Sequence, residues 1–436
     1  MIRYLLNRFH NNDEDLKEVL HGSAVAFTVK IIAAGSAFAM NILVARKLGV
    51  SEAGLFFLAF TLVTMISAIS RLGLDQTFVR FISSHKVDND WSFINGLYSI
   101  GMIWSLLASM AFALVIWAMA EPIAAHIFNK PEFAGILAVM VFGIPLTALF
   151  TLHAQALQGL KHIMQAMLTL AVILPLGLVT LILIFSPTSA QQTGCLYLVA
   201  ALTTLAAGFY WWRRIPSTNI VPKKIDRTMI LTSAMPLLAV SIFQQFSAWF
   251  SQVMLGMWSS SADVAVFNAA QRTAMLTSFI LIAVSSISAP KFAELYRLER
   301  YEELRHIVKH ATRVMVLLAL GPLAIFLLFP EHILWLFGED FTRGSISLQI
   351  LALGQFLNVA TGSVGYLLSM TGHEKQLRNN SFFAAMITLC LGIMLIPLFG
   401  ILGASVTTAC AVAAFNLLSS WQVKRTLGIN TLLFWK

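Results

Sequence analysis

The chain has 436 residues, 58% of them hydrophobic and 11% charged, with a mean hydropathy of +0.79. A soluble domain carries roughly 25% charged residues, so the composition excludes that class. A net charge of +9 raises nucleic acid as a partner, but the cations lie between long apolar runs rather than in one patch, which removes that reading.

Apolar runs of about 20 residues, each long enough for a hydrocarbon core about 30 Å thick, recur along the chain. They are too long and too uniformly apolar for barrel strands. Residues 1–22 are polar and charged, and Ile2, Leu5, Leu6 and Phe9 share a helical face that suits the inner membrane surface. No small-residue cleavage site follows the first run, so a retained first helix is expected. The expected spans are 23–45, 53–72, 94–119, 133–156, 164–186, 193–212, 229–258, 264–289, 311–330, 344–368, 380–397 and 400–422. Cys195, Cys390 and Cys410 show no metal spacing and are expected as small buried hydrophobes.

With a cytoplasmic N-terminus, most lysines and arginines fall on the inner side. They cluster at Arg3–Lys17, Arg71–Lys86, Lys161, Arg213–Arg227, Lys291–Arg313, Lys375–Arg378 and Lys424–Lys436. Arg46, Lys47, Lys130 and Arg343 fall outside, and Lys30 and Arg272 lie within spans. This bias predicts twelve spans with both termini cytoplasmic. Trp91, Trp211, Trp212, Trp258 and Trp421 fall at helix ends, where amphipathic rings prefer the headgroups; Trp104 and Trp249 do not. Ala289–Arg313 reads either as a helix on the membrane surface or as a solvated connector.

Four weak matches recur at an offset of about 210 residues. SEAGLFFLA at Ser51 pairs with ADVAVFNAA at Ala262, and TFVRF at Thr77 with KFAEL at Lys291. EPIAAHIF at Glu121 pairs with PEHILWLF at Pro330, and LQGLKH at Leu157 with MTGHEK at Met370. An offset covering six spans keeps both halves in one orientation, as in parallel-repeat transporters. The expected fold is therefore an all-α polytopic membrane protein. It has two pseudo-symmetric six-helix lobes, residues 1–212 and 228–436, joined by a cytoplasmic linker at 213–227.

ARKLGVSEAGLF at Ala45, RLGLDQTFVRFI at Arg71, ALQGLKH at Ala156 and SADVAVFNAA at Ser261 carry a family resemblance. The chain resembles bacterial polysaccharide-export flippases, the Wzx-type O-antigen transporters of the multidrug/oligosaccharidyl-lipid/polysaccharide exporter superfamily. The resemblance implies a central cavity lined by helices 1, 2, 7 and 8, in a bacterial inner membrane protein. It also implies export of an undecaprenyl-pyrophosphate-linked sugar repeat unit, with polysaccharide polymerase and assembly proteins as partners.

Lys30 is the first candidate site residue. The 15 residues between it and Arg46 span about 22 Å of helix, less than the hydrocarbon thickness. Either the ammonium snorkels to the headgroups, or it faces a polar cavity. Asn41, close to three turns on, shares its face. Arg272, four residues after Asn268, sits either at the outer interface or in the cavity, and the repeat favours the cavity. No acidic residue lies in the middle of a span; Asp75 is expected to pair with Arg71. These unpaired cations point to an anion carried by the cargo, a pyrophosphate or acidic sugars, with arginine binding as a fork and lysine as a point charge.

Gln245, with Ser241 and Gln252, marks a stripe of helix 7 that either hydrogen-bonds sugar hydroxyls or joins helices. Gln355 and Asn358 in helix 10 pose the same choice, while His153 and Gln155 read as structural. Arg46 and Lys47 either receive an anionic head group at the outer exit or touch outer-leaflet phosphates. No phosphate loop, metal cluster or nucleophile arrangement appears, so neither enzyme activity nor a cofactor is expected. Two other readings remain: a multidrug or metabolite antiporter, disfavoured by the missing carboxylate, and a non-transporting scaffold of a polysaccharide synthesis complex.

Overall fold

A computed structural model describes residues 14–215, 220–223 and 227–432, and those residues contain helices and no strand. The predicted surface helix at Ile2, Leu5, Leu6 and Phe9, and much of the linker, lie outside them. The helices are α1 (Glu14–Ser70), α2 (Leu74–Val87), α3 (Trp91–Ala118), α4 (Phe133–Met140), α5 (Gly143–Gly159), α6 (Ile163–Met167), α7 (Ile173–Phe185) and α8 (Ala190–Arg213). They continue as α9 (Arg227–Trp258), α10 (Ser261–Met275), α11 (Ser278–Arg297), α12 (Tyr301–Leu328), α13 (Pro330–Trp335), α14 (Ser345–Ala360), α15 (Val364–Met370) and α16 (Glu374–Leu427). Among the described residues nine helical stretches are long and apolar enough to cross a membrane. The molecule is an all-helical, multi-pass membrane protein.

Two helices are too long to cross once. A straight helix of the 57 residues of α1 would reach about 85 Å, nearly three bilayer cores. It breaks at Gly49 (φ 73°, ψ 173°), and α16 breaks at Gly400 (φ 53°, ψ −123°). Positive φ is open to glycine without the Cβ clash that other residues meet. Past Gly400 the chain folds back: a Cβ on Gly403 would lie 2.2 Å from the Leu395 carbonyl oxygen. We refer to the two parts of α1 as its first and second limbs, and to the side of the bundle carrying their junction as the Gly49 end.

The largest apolar core joins both halves of the sequence, with Phe56, Phe57 and Leu58 of the second limb beside Val266, Phe267 and Ala270 of α10. The second limb packs on α10, α9 lies along α16, and α5 lies along α8. Three departures from expectation have plain causes. Cys195, Cys390 and Cys410 are exposed on helix surfaces rather than buried, because a membrane helix keeps small apolar residues on its outer face as readily as inside. Ala289–Arg313 is neither one separate helix nor an irregular connector. It forms the end of α11 and the start of α12, whose Phe292, Leu295, Leu304 and Val308 pack on Val364, Leu367, Leu368 and Val423. The eighth predicted span is not continuous but turns at Leu276–Thr277, between α10 and α11, where amides bond three residues back.

Candidate functional site

Arg272 lies one turn before that break, half-buried between α10 and α9. Its guanidinium carbon stands 4.6 Å from the centre of the Trp249 ring, so the cation rests on an aromatic face. Its Nε is buried without an acceptor, and no carboxylate pairs with it among the described residues. The neighbouring polar side chains form a seam. Asn268 is 1% exposed; its Nδ2 donates to Gln252 Oε1 at 3.4 Å, and Gln252 Nε2 donates to the Phe57 carbonyl at 3.3 Å. Gln271 Nε2 donates to the Ala248 carbonyl at 3.5 Å. Asn268 Oδ1, Gln271 Oε1 and the hydroxyls of Ser247, Thr273 and Thr277 are buried and unpaired. Buried polar atoms without partners cost about 1–3 kcal/mol each, so this seam offers unfilled hydrogen-bonding capacity to water or a polar cargo.

Lys30 is half-buried on the first limb of α1 and has no hydrogen bond or ion pair among the described residues. Asn41 is buried, but its Nδ2 donates to Ala37 O at 2.7 Å, so one of its donors is spent on its own helix. Gln245 is half-buried and unbonded among the described residues. No hydrogen bond joins Lys30, Asn41 or Gln245 to the Arg272 seam.

The carboxylates are held elsewhere, at helix ends and connections. Asp75 accepts from Arg71 at 2.6 Å, the pair expected from their spacing, and Asp263 pairs with Arg343 at 3.1 Å. Glu294 pairs with Lys291, Glu302 with Arg305, and Glu303 with Arg300. Among the described residues neither Lys30 nor Arg272 has a carboxylate partner.

Several candidates prove to be ties between helices. Gln252 bridges α9, α10 and the second limb rather than facing open space. Gln355 and Asn358 both bond Ser278 at the start of α11, and His153 Nδ1 lies 3.1 Å from Tyr98 Oη. Arg46 is exposed and also holds two carbonyls: Nε donates to Leu336 O at 2.7 Å and Nη2 to Trp335 O at 3.3 Å. Lys47 Nζ reaches Ser186 Oγ at 3.4 Å. Two residues of consequence carried only faint signals in the sequence. Trp249 stood out as a tryptophan in mid-span, and Lys130 as a cation on the wrong side.

The chain was compared with known proteins. A model described as "Polysaccharide biosynthesis protein" matches residues 19–296, and one described as MatE matches 236–398. A probable low-salt glycan biosynthesis flippase of Haloferax volcanii, Agl15, is 22% identical over 95% of this chain and 85% of its own length. The fold is similar to that of a multidrug resistance MATE family transporter of the MOP superfamily in an inward-facing conformation. That match has TM-score 0.76 and 16% identity, and covers 93% of this chain and 98% of that one. The fold is also similar to lipid II flippase MurJ in an inward closed conformation, with TM-score 0.74, 14% identity, and 91% and 87% of the two chains covered. With more than half of its length inside the first of these models, the chain belongs to the polysaccharide biosynthesis protein family.

Proposed function

We propose that this protein is a flippase that moves a lipid-linked glycan between membrane leaflets by alternating access. The observation that carries the reading is Arg272: a cation held in the interior of a multi-pass bundle, braced by Trp249 and without a protein carboxylate. Such a charge is costly in a membrane unless something offsets it. A pyrophosphate linking glycan to lipid supplies that anion, and the arginine fork suits its oxygens. Lys30 adds a second positive charge on the first limb, while Asn41, Asn268 and Gln245 supply neutral polar contacts to the same cargo. An O-antigen-like repeat unit on undecaprenyl pyrophosphate, exported through a bacterial inner membrane, is the finer form of this reading. Family membership and the archaeal glycan flippase relative support the broader form.

The reading takes the chain as twelve spans. These are the nine apolar stretches, two of them doubled by the breaks at Gly49 and Gly400, together with Arg227–Trp258. They divide into lobes 1–212 and 228–436 about the linker at 213–227, with both termini cytoplasmic and the Gly49 end outward. Arg46, Lys47, Lys130 and Arg343 then lie at the sparsely charged outer side, consistent with the positive-inside rule.

The test is reconstitution with a fluorescent lipid-linked oligosaccharide. Lys30→Gln and Arg272→Gln, each folded and inserted, should lower translocation at least tenfold. Translocation at the parent rate in both variants would reject anion binding by these side chains. A multidrug antiporter is the second reading, favoured by the MatE match over residues 236–398. Drug resistance conferred on sensitive cells, with no glycan moved, would select it.

A further inference from the structure

Lys130 lies in the connection between α3 and α4 and is only 7% exposed. Its ammonium donates to Gly256 O at 2.6 Å, Ser259 O at 2.7 Å and Phe128 O at 3.1 Å, which uses all three protons. Gly256 belongs to the last turn of α9, and Ser259 follows its end. Carbonyls at a helix C-terminus lack partners within the helix and carry the negative end of its dipole. A buried cation from the first half of the sequence is thus held by the end of a helix from the second. Burial pushes the Lys130 pKa down, while Glu132 and Asp263 draw it back up.

Arg46, at an exposed position, makes a second contact from a cation to helix-end carbonyls of the other half. Its donors reach the carbonyls of Trp335 and Leu336 at the end of α13, and its guanidinium carbon stands 5.1 Å from the Trp335 ring centre. The repeat matches place Trp335 and Leu336 opposite His126 and Ile127, just before Lys130, and place Arg46 opposite Met257, between Gly256 and Ser259. The two contacts therefore join the same two repeat regions, within about three residues, with the donor on the opposite member each time. Both bridge the halves at the Gly49 end, where Ser51 Oγ also lies 3.0 Å from Ser261 Oγ.

We propose that Lys130 and Arg46 are paired latches of a gate at the Gly49 end, made when that end is closed and released when the cavity opens there. This rests on the transporter reading given above. Charge-to-carbonyl contacts suit a reversible closure, because opening exchanges them for water at a small net change in free energy. The Lys130 ammonium left buried without its carbonyls would be strongly unfavourable, so a half-released Lys130 latch is avoided and the closure acts as a switch. Arg46 is accordingly a gate residue in this state, not a ligand for the cargo.

The test uses full-length protein in lipid nanodiscs, with Cys195, Cys390 and Cys410 replaced by serine and a single probe, Ser261→Cys. Ser261 is 7% exposed beneath the latches, so a membrane-impermeant maleimide should label it slowly in the parent. Lys130→Met and Arg46→Gln should each speed labelling about tenfold, the double variant more, and Lys130→Arg should remain near the parent rate. Folded variants with unchanged melting that label at the parent rate would overturn the proposal. If Lys130→Met does not fold, Arg46→Gln, at an exposed position, decides with the same two outcomes. Labelling needs no cargo, so faster labelling without glycan movement would sink the flippase reading and keep the gate. Glycan movement with unchanged labelling would do the reverse.

Discussion

Ser51 Oγ and Ser261 Oγ lie 3.0 Å apart, although the sequence separates them by 210 residues. The pair fixes the start of the second limb of α1 against the first turn of α10, at a place where their backbones need a missing side chain: a Cβ on Gly54 would stand 1.8 Å from the Ser261 carbonyl oxygen. The proposed gate at the Gly49 end requires this junction to part, and each of its members is open to test.

Ser51→Cys with Ser261→Cys, in the background lacking the native cysteines, should form a disulfide under mild oxidation. The sulfurs need to approach to about 2.05 Å from oxygens already in contact. Oxidised protein should lose glycan translocation at least tenfold, and a reductant should restore it. Undiminished transport by fully cross-linked protein would mean that the Gly49 end does not open in the cycle.

Gly54→Ala should lower the melting temperature, because overpacking against a backbone carbonyl costs about 1–3 kcal/mol. Gly35→Ala is the control, since nothing lies within 4 Å of its added carbon. A helical Gly-to-Ala change there should be neutral or stabilising by up to about 1 kcal/mol. Equal melting of both variants would contradict the tight junction.

Arg272→Lys keeps the charge but loses the planar fork and its fit to Trp249. Translocation should therefore fall in the order parent, Arg272→Lys, Arg272→Gln. Trp249→Ala removes a contact worth about 0.5–2 kcal/mol and should weaken cargo binding several-fold, with Trp249→Phe between. Identical rates for lysine and glutamine at 272 would show that charge there is not used.

Gln252→Ala should destabilise the fold by about 1–3 kcal/mol, since it leaves the buried Asn268 amide without its acceptor and removes a bond to the Phe57 carbonyl, which keeps the Thr61 hydroxyl. Asn268→Ala should cost a similar amount, and the double variant less than the sum, because the two side chains share one bond. Additive losses in thermal melts would show that the bond contributes little.

Much of the molecule was readable before any coordinates. Arg71 and Asp75 pair as their four-residue spacing indicates, and among the described residues no carboxylate pairs with Lys30 or Arg272, in keeping with apolar runs that carry no acidic residue in mid-span. The expected spans 23–45 and 53–72 leave a gap that contains the break at Gly49, and the break at Gly400 falls at the first residue of the expected span 400–422. By contrast, Gln252 read equally well as a sugar ligand or a tie, and Arg46 as a receptor for head groups. The exposed positions of Cys195, Cys390 and Cys410 also ran against the sequence reading.

The sequence by itself determined that the chain is an all-helical membrane protein and that its apolar runs carry no acidic residue in mid-span. Those properties follow from transfer free energies and from spacing along a single helix. Only the tertiary structure decided that Lys130 is buried against the end of α9, that Arg46 holds the end of α13, and that Trp249 carries Arg272. The reason is physical: their partners are backbone carbonyls and ring faces brought in from distant helices. A carbonyl at a helix end has no residue type of its own, so no spacing in the sequence announces which cation will reach it.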